Sequence, residues 1–374
     1  MPFAIETWQS RYRIAIIGGG PAGSACALAL ARLGVSDVVM IEAGDYQRFR
    51  IGESIPPESR RLFHALGIER EFLEQGHAPC YGSCSYWGSE ARGYNDSLMN
   101  PLGHGWHLDR CRFDRFLASQ AHARGVQVHI GATLTHSTPK ANGFTLDIQH
   151  ATPQGRRMLR IHADQVVDAS GTRAVFARQR GSLKQGSHPL ICLAALLGLR
   201  ETAPPSSLSH LEAVEQGWWY GAFLPDARLL LALYSNAASI KAGQLWKSEQ
   251  WRTLLAATRH IAALADQAAP LTGRIASFPA PSYCLDHVGG RGWLAIGDAA
   301  SAYDPIASQG ICKALANGLL AAEVLQAQSG LERYAQAVHA AYQDYLALRR
   351  HWYGLEQRWP HASFWKKFHE RIAG

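Results

Sequence analysis

No run of this chain is apolar for long enough to cross a bilayer: residues 190–199, the best candidate, give about half the length a spanning helix needs and read as a core strand. The first residues, PFAIETWQSRYR, lack the apolar centre of a signal peptide, so a cytoplasmic protein is expected. Cysteine is sparse and dispersed, at 26, 80, 84, 111, 192, 284 and 312, and no two form a C-x-x-C pair. An odd, scattered set fits a reducing compartment better than a disulfide framework. Cys80 and Cys84 have His77, His104 and His107 as neighbours in the sequence, but that spacing matches no usual zinc pattern, and no metal is expected. Repeats and low-complexity segments are absent. Basic residues exceed acidic ones by 37 to 30 without clustering, which argues against nucleic acid and suits a small anionic ligand. Lysine is missing altogether before Lys140.

What is present begins with residues 13–43, RIAIIGGGPAGSACALALARLGVSDVVMIEA. An apolar run at 14–17 reads as a buried parallel strand ending on Gly18-Gly19-Gly20, and residues 22–33, rich in Ala and Leu, read as a helix that Pro21 opens and Gly34 closes. A second strand follows at 38–41 and ends on Glu42. Strand, glycine turn, helix, strand and acid in this order form a dinucleotide fingerprint. Gly18 permits the turn, Gly20 lets the backbone approach a pyrophosphate, and Gly23 lets helix and strand pack closely. Ala22 lies in the first helical turn, where free N–H groups and the helix dipole favour phosphate. Glu42, about 20 residues on, can accept hydrogen bonds from an adenosine ribose.

Further along, residues 48–57, RFRIGESIPP, form a stiff turn able to hold Glu53 and Ser54 against a flat cofactor, although a plain surface turn reads equally well. Here the chain resembles the flavoprotein monooxygenases with the p-hydroxybenzoate hydroxylase fold, in the branch that contains the tryptophan halogenases. The resemblance extends to Arg110, which opens an amphipathic helix and would lie beside the flavin. It extends also to residues 166–173, VVDASGTR, a strand ending in an Asp-x-x-Gly turn. Residues 292–300, GWLAIGDAA, resemble the third fingerprint of the family, with Asp298 placed to accept from ribityl hydroxyls. The following YDPIASQG leads into a helix over 311–322 whose positive end would face the flavin pyrimidine ring, so the isoalloxazine edge would meet Pro305 to Gly310.

Two departures separate the chain from the halogenases it resembles. Those enzymes carry an essential lysine in the region of residues 80–94, where this chain has none, and a W-x-W-x-I-P signature, where this chain reads Trp218-Trp219-Tyr220-Gly221-Ala222-Phe223-Leu224-Pro225. The Gly52-Glu53-Ser54 stretch with Pro56-Pro57, the run at 217–220 and the tail at 359–365 look instead like the flavoproteins that mature quinohaemoprotein amine dehydrogenase, lysine ε-oxidase and glycine oxidase. Those oxygenate a tryptophan of a partner protein to build tryptophylquinone.

The expected fold is α/β (α+β). A Rossmann-like FAD-binding domain, residues 1–79, 101–181 and 281–330, interleaves with a mixed-sheet substrate domain, 80–100 and 182–280, and a helical segment follows at 331–374. Trp246 and Trp251 are expected on one helix. The resemblance implies an FAD-dependent monooxygenase acting through a flavin C4a-hydroperoxide on an aromatic ring. NADH, NADPH or a separate flavin reductase supplies the electrons. The competing readings are a hydroxylase of a free or carrier-tethered small aromatic, and a flavin-binding maturation chaperone without chemistry of its own. Asp304 and Tyr220 are the candidate catalytic residues, by nearness to flavin and substrate; a helix-entry acid and a core aromatic are the plainer alternatives. The tail cluster of Trp352, Tyr353, Arg358, Trp359, Phe364 and Trp365 is either an amphipathic cover for the core or a surface on which a partner docks.

Overall fold

The computed structural model describes residues 7–153, 155–186, 189–200, 206–269 and 274–369. Its first sheet is built on the strand β1 (Arg11–Ile17), with four consecutive buried residues at its end. The helix α1 (Pro21–Arg32) returns over it to β2 (Val38–Glu42), parallel to β1 and wholly buried. Continuous apolar runs of this kind are what a parallel sheet covered on both faces requires. On the other side of β1 lies the strand Gly155–Asp168, whose second half pairs in parallel with β1 while its first half pairs with Phe144–Thr152 in an antiparallel hairpin. Trp293–Ala295 and Gln127–Ile130 extend the sheet beyond these strands, one on each side.

The helix Gly310–Ala327 packs against α1 at very short range. A Cβ on Gly318 would sit 2.7 Å from Ala25 Cβ and 2.7 Å from the backbone nitrogen of Cys26, so only glycine fits there.

The second sheet has seven strands, in the order Ala276–Ala280, Leu190–Gly198, Arg228–Ser235, Gly217–Leu224, Ser209–Val214, Gly82–Tyr86 and Gly93–Asp96. All neighbours are antiparallel except Ser209–Val214 and Gly82–Tyr86, which run parallel. Every residue of Gly217–Leu224 is buried because both faces of the sheet are covered. One face, carrying Trp219 and Phe223, packs on Trp251, Leu255, Ile261 and Leu264. The other, carrying Trp218, Tyr220 and Leu224, packs on Tyr353, Phe364 and Trp365 from the C-terminal segment. Trp251 lies on the helix Ser248–Ala256, whereas Trp246 precedes it and is half exposed, so the two tryptophans do not share a helix. The long helix Leu331–Gly354 and the short Lys366–His369 close the chain. Among the described residues, no helix is long and apolar enough to cross a membrane.

Candidate active site

A cavity of about 370 Å³ lies between the two sheets. Gly18, Gly20, Ala22, Glu42, Ser54, Arg110, Tyr220, Asp298, Asp304, Pro305 and Gly310 all line it, so residues spread over most of the sequence converge on one space. Gly23 does not line it: a Cβ there would collide with the carbonyl of Gly18, so this glycine serves the packing of α1 on the turn beneath. Gly18 has φ +112°, and a side chain on it would strike the carbonyl of Ala169. Gly20 differs from both. Nothing lies within 4 Å of a Cβ built on it, because that direction opens into the cavity.

These features fit FAD. At the start of α1 the first N–H groups have no acceptor within the helix, and Gly20 leaves room for a pyrophosphate against them. Glu42 accepts from the Gly19 N–H at 2.7 Å and the Gly44 N–H at 2.6 Å. Its orientation is thereby fixed, and each carboxylate oxygen keeps lone-pair capacity for ribose hydroxyls. At the other end Asp298 accepts from Lys313 Nζ at 3.0 Å, and Lys313 lies 4.2 Å above the Tyr303 ring. The N-terminal residues Gly310, Ile311 and Ala314 of the helix Gly310–Ala327 face the cavity and direct its positive end there. Asp168 of the second fingerprint stays behind the wall, where it accepts from Ser170 N, Ser170 Oγ and Ala177 N at 3.0, 2.6 and 2.8 Å. It thereby shapes the turn whose Ala169 to Arg173 line the cavity.

Arg110 is a buried clamp. Its guanidinium donates to Asp114 at 3.2 and 3.1 Å and to the carbonyls of Ile51 and Gly52 at 2.6 and 3.1 Å, fixing the turn that carries Glu53 and Ser54. From that turn a chain of buried polar groups runs into the second sheet. Ser54 Oγ lies 2.7 Å from the Tyr220 hydroxyl and 2.9 Å from Ser209 Oγ, and Ser209 Oγ lies 3.0 Å from His107 Nε2. Burial pushes the Tyr220 phenol well above its ordinary value and His107 down to about 4, so the chain is neutral.

Asp304 enters the short helical turn Pro305–Ala307 as its cap. It borders the cavity, but Oδ1 accepts from Ile306 N at 3.1 Å, and Oδ2 takes both Arg349 Nε and the Tyr353 hydroxyl at 3.0 Å. A carboxylate so engaged is an anchor for its loop and is poorly suited to carry protons for a substrate. In the tail, Tyr353, Phe364 and Trp365 are buried, as a cover for the core requires, and the Tyr353 hydroxyl accepts from Trp218 Nε1 at 2.9 Å. Only Trp352 of the tail's large apolar residues named above is well exposed, at 43%.

Tyr234, stacked on Trp218 at 4.2 Å, is an addition to the expected site, and Glu53, expected with Ser54 beside a flat cofactor, joins it. Both line the cavity. The Gly-Glu-Ser run was visible, but nothing in a sequence says which carboxylates end up without partners.

Two sheets joined around a cavity, with two helix N-termini and a glycine turn directed into it, define a dinucleotide-binding protein. The chain belongs to the FAD binding domain family, which matches residues 11–346, and is a flavin-dependent oxidoreductase. It is 28% identical over 365 residues, 96% of this chain and 97% of the relative, to the protein named as FAD-dependent oxidoreductase LodB of Marinomonas mediterranea. Further relatives from Armillaria mellea and Penicillium aethiopicum are named as flavin-dependent halogenases, 26–27% identical over 84% of this chain and 64–67% of theirs. In fold it is similar to the flavin-dependent halogenase CmlS, with a TM-score of 0.82 at 22% identity over 97% of this chain and 68% of that one. It is also similar to QhpG, a peptidyl tryptophan dihydroxylase essential for tryptophylquinone cofactor biogenesis, with a TM-score of 0.76 at 24% identity over 96% and 78%.

Proposed function

We propose that this flavoprotein is a monooxygenase that hydroxylates an aromatic ring, and that the ring is the indole of a tryptophan in a partner protein, modified on the way to a quinone cofactor. The observation that carries the reading is the cavity wall contributed by the second sheet. Leu211, Trp218, Tyr220, Tyr234 and Ala280 offer an apolar, aromatic surface to a flat ring, and among the described residues no lysine lines the cavity. The likeness to QhpG, itself a peptidyl tryptophan dihydroxylase, supports the choice of tryptophan.

When bound, FAD supplies the electrons that activate dioxygen, and NADH, NADPH or a separate reductase replenishes them. The protein's own residues do the rest. The first turn of α1 would hold the pyrophosphate, Asp298 would accept from the ribityl chain, and the helix beginning at Gly310 would favour negative charge at the pyrimidine end. The aromatic wall excludes water and holds the ring.

Co-expression with neighbouring gene products, followed by intact-mass measurement in the presence of bromide, tests this. A partner tryptophan that gains one or two oxygens is the expected result. A halogen mass shift sinks the hydroxylase reading. Oxygenation of free or carrier-tethered small aromatics alone transfers the claim to a small-molecule hydroxylase. A partner that is bound but unmodified leaves a maturation chaperone.

A further inference from the structure

We propose that Glu53 is a catalytic acid–base residue, the group that takes the ring proton as oxygen is transferred and then returns it. The proposal rests on the hydroxylase reading above.

Glu53 lines the cavity between Gly52 and Ser54, 3% exposed, and its Oε1 is buried with no hydrogen-bond partner in the protein. Leaving a carboxylate oxygen in that state is costly unless something entering the site meets it. The turn that carries it is rigid: the Glu53 carbonyl accepts from Leu108 N at 2.8 Å, and Arg110 clamps the two preceding carbonyls.

The groups facing Glu53 are few. Arg110, on the adjoining helix, is the facing cation, and its charge is largely balanced by Asp114. From the second sheet come Tyr220, Tyr234 and Cys192, all held neutral because burial pushes the phenols and the thiol upward. The nearby His107 is neutral as well, pushed down to about 4. Burial outweighs Arg110 and the backbone N–H groups of Gly52 and Glu53 and pushes Glu53 up to about 7, where a carboxyl group both accepts and releases a proton at ordinary pH. Asp304 lacks this freedom, being tied to Arg349 and Tyr353.

The oxidant is dioxygen and the reductant is the two-electron-reduced flavin. One oxygen atom bonds to a ring carbon through a ring π pair. The C–H bond of that carbon then breaks, its electron pair returns to the ring, and the proton passes to the Glu53 carboxylate. Glu53 delivers that proton to the second oxygen atom, which leaves as water. Aromatic ring, reduced flavin and dioxygen thus give hydroxylated ring, oxidised flavin and water, with the two flavin hydrogens ending on the new hydroxyl and on the water.

The test uses the FAD-loaded protein, its Glu53→Gln and Glu53→Asp variants, and a tryptophan-containing peptide deuterated on the indole ring. Wild-type protein should show an infrared carboxylic-acid band that disappears as pH rises through about 7, and Glu53→Gln should lack it. Glu53→Gln should keep FAD, form product about 100-fold more slowly, and show a ring-deuterium isotope effect that the wild type does not. Glu53→Asp should recover part of the rate with a shifted pH profile, which a merely structural role would not produce. Wild-type enzyme that leaves the peptide unmodified overturns the hydroxylase reading and this proposal with it. Wild-type enzyme that oxygenates the peptide, matched by Glu53→Gln in rate and without an isotope effect, overturns this proposal alone. If Glu53→Gln loses FAD, the wild-type band decides: no carboxyl titrating near neutrality overturns the proposal.

Discussion

Arg349 donates from Nε to Asp304 Oδ2 at 3.0 Å, a buried ion pair that ties the long C-terminal helix to the loop carrying Pro305 and Gly310. Removing the cation strands a carboxylate that is 2% exposed. Arg349→Met should therefore destabilise the protein by about 3–5 kcal/mol, read by urea denaturation, and loosen the loop enough to weaken FAD retention. Truncation after Leu348 removes this cation together with Tyr353, Phe364 and Trp365, and should leave a chain that does not fold into a flavoprotein.

Two glycines four positions or fewer from the same turn should fail in different ways. Gly20→Val meets nothing in the protein, so its melting temperature without cofactor should stay close to wild type while FAD affinity collapses. Gly23→Ala drives a methyl group into the Gly18 carbonyl, so thermal stability itself should fall. Cofactor titration beside a melt of the apoprotein separates the two.

Glu53 and His107 should impose opposite pH slopes on stability. Glu53 is raised from 4.5 to about 7, so its contribution is present below 4.5 and lost as pH rises to about 7. His107 is lowered from 6.5 to about 4, so its contribution is present above 6.5 and lost as pH falls to about 4. Between 4.5 and 6.5 the two largely cancel. Glu53→Gln should expose a rise of up to about 1.4 kcal/mol per pH unit across that window, and His107→Gln a fall, both measured by denaturant unfolding at stepped pH.

Trp365 and Trp352 should divide the labour of the tail. Trp365 is fully buried and donates from Nε1 to the Val214 carbonyl at 2.9 Å, so Trp365→Ala should cost about 3–5 kcal/mol of stability. Trp352 is 43% exposed, so Trp352→Ala should change stability by less than about 1 kcal/mol. If the partner protein docks on this side, retention of the partner on an affinity column should fall in the Trp352 variant alone.

The cofactor end of the site was legible because its parts are local. Gly18, Gly20, Gly23 and Glu42 lie on one strand–helix–strand unit, where spacing alone dictates geometry. The substrate end was not, because it is assembled across the chain. Gly82–Tyr86 joins the second sheet beside Ser209–Val214, a pairing no local pattern encodes. The tail kept two readings open for a related reason: Tyr353, Phe364 and Trp365 find their burial against Trp218 and Tyr220 of a distant strand, which the tail's own pattern does not name. Asp304 kept two readings open because Arg349 and Tyr353, its partners, lie far along the sequence.

The absent side chain at Gly318 has a consequence for which cofactors the protein can accept. It seats the helix Gly310–Ala327 directly on α1, so the two helix ends directed into the cavity, one at Gly20 and one at Gly310, belong to a single rigid caliper. The jaws of that caliper are set to a fixed gap. A flavin bound here would set its pyrimidine ring against one jaw and its phosphates against the other, so the gap would have to match the length of the ribityl chain between them. A larger residue at position 318 would spread the jaws and spoil that match, without touching any atom of the ligand.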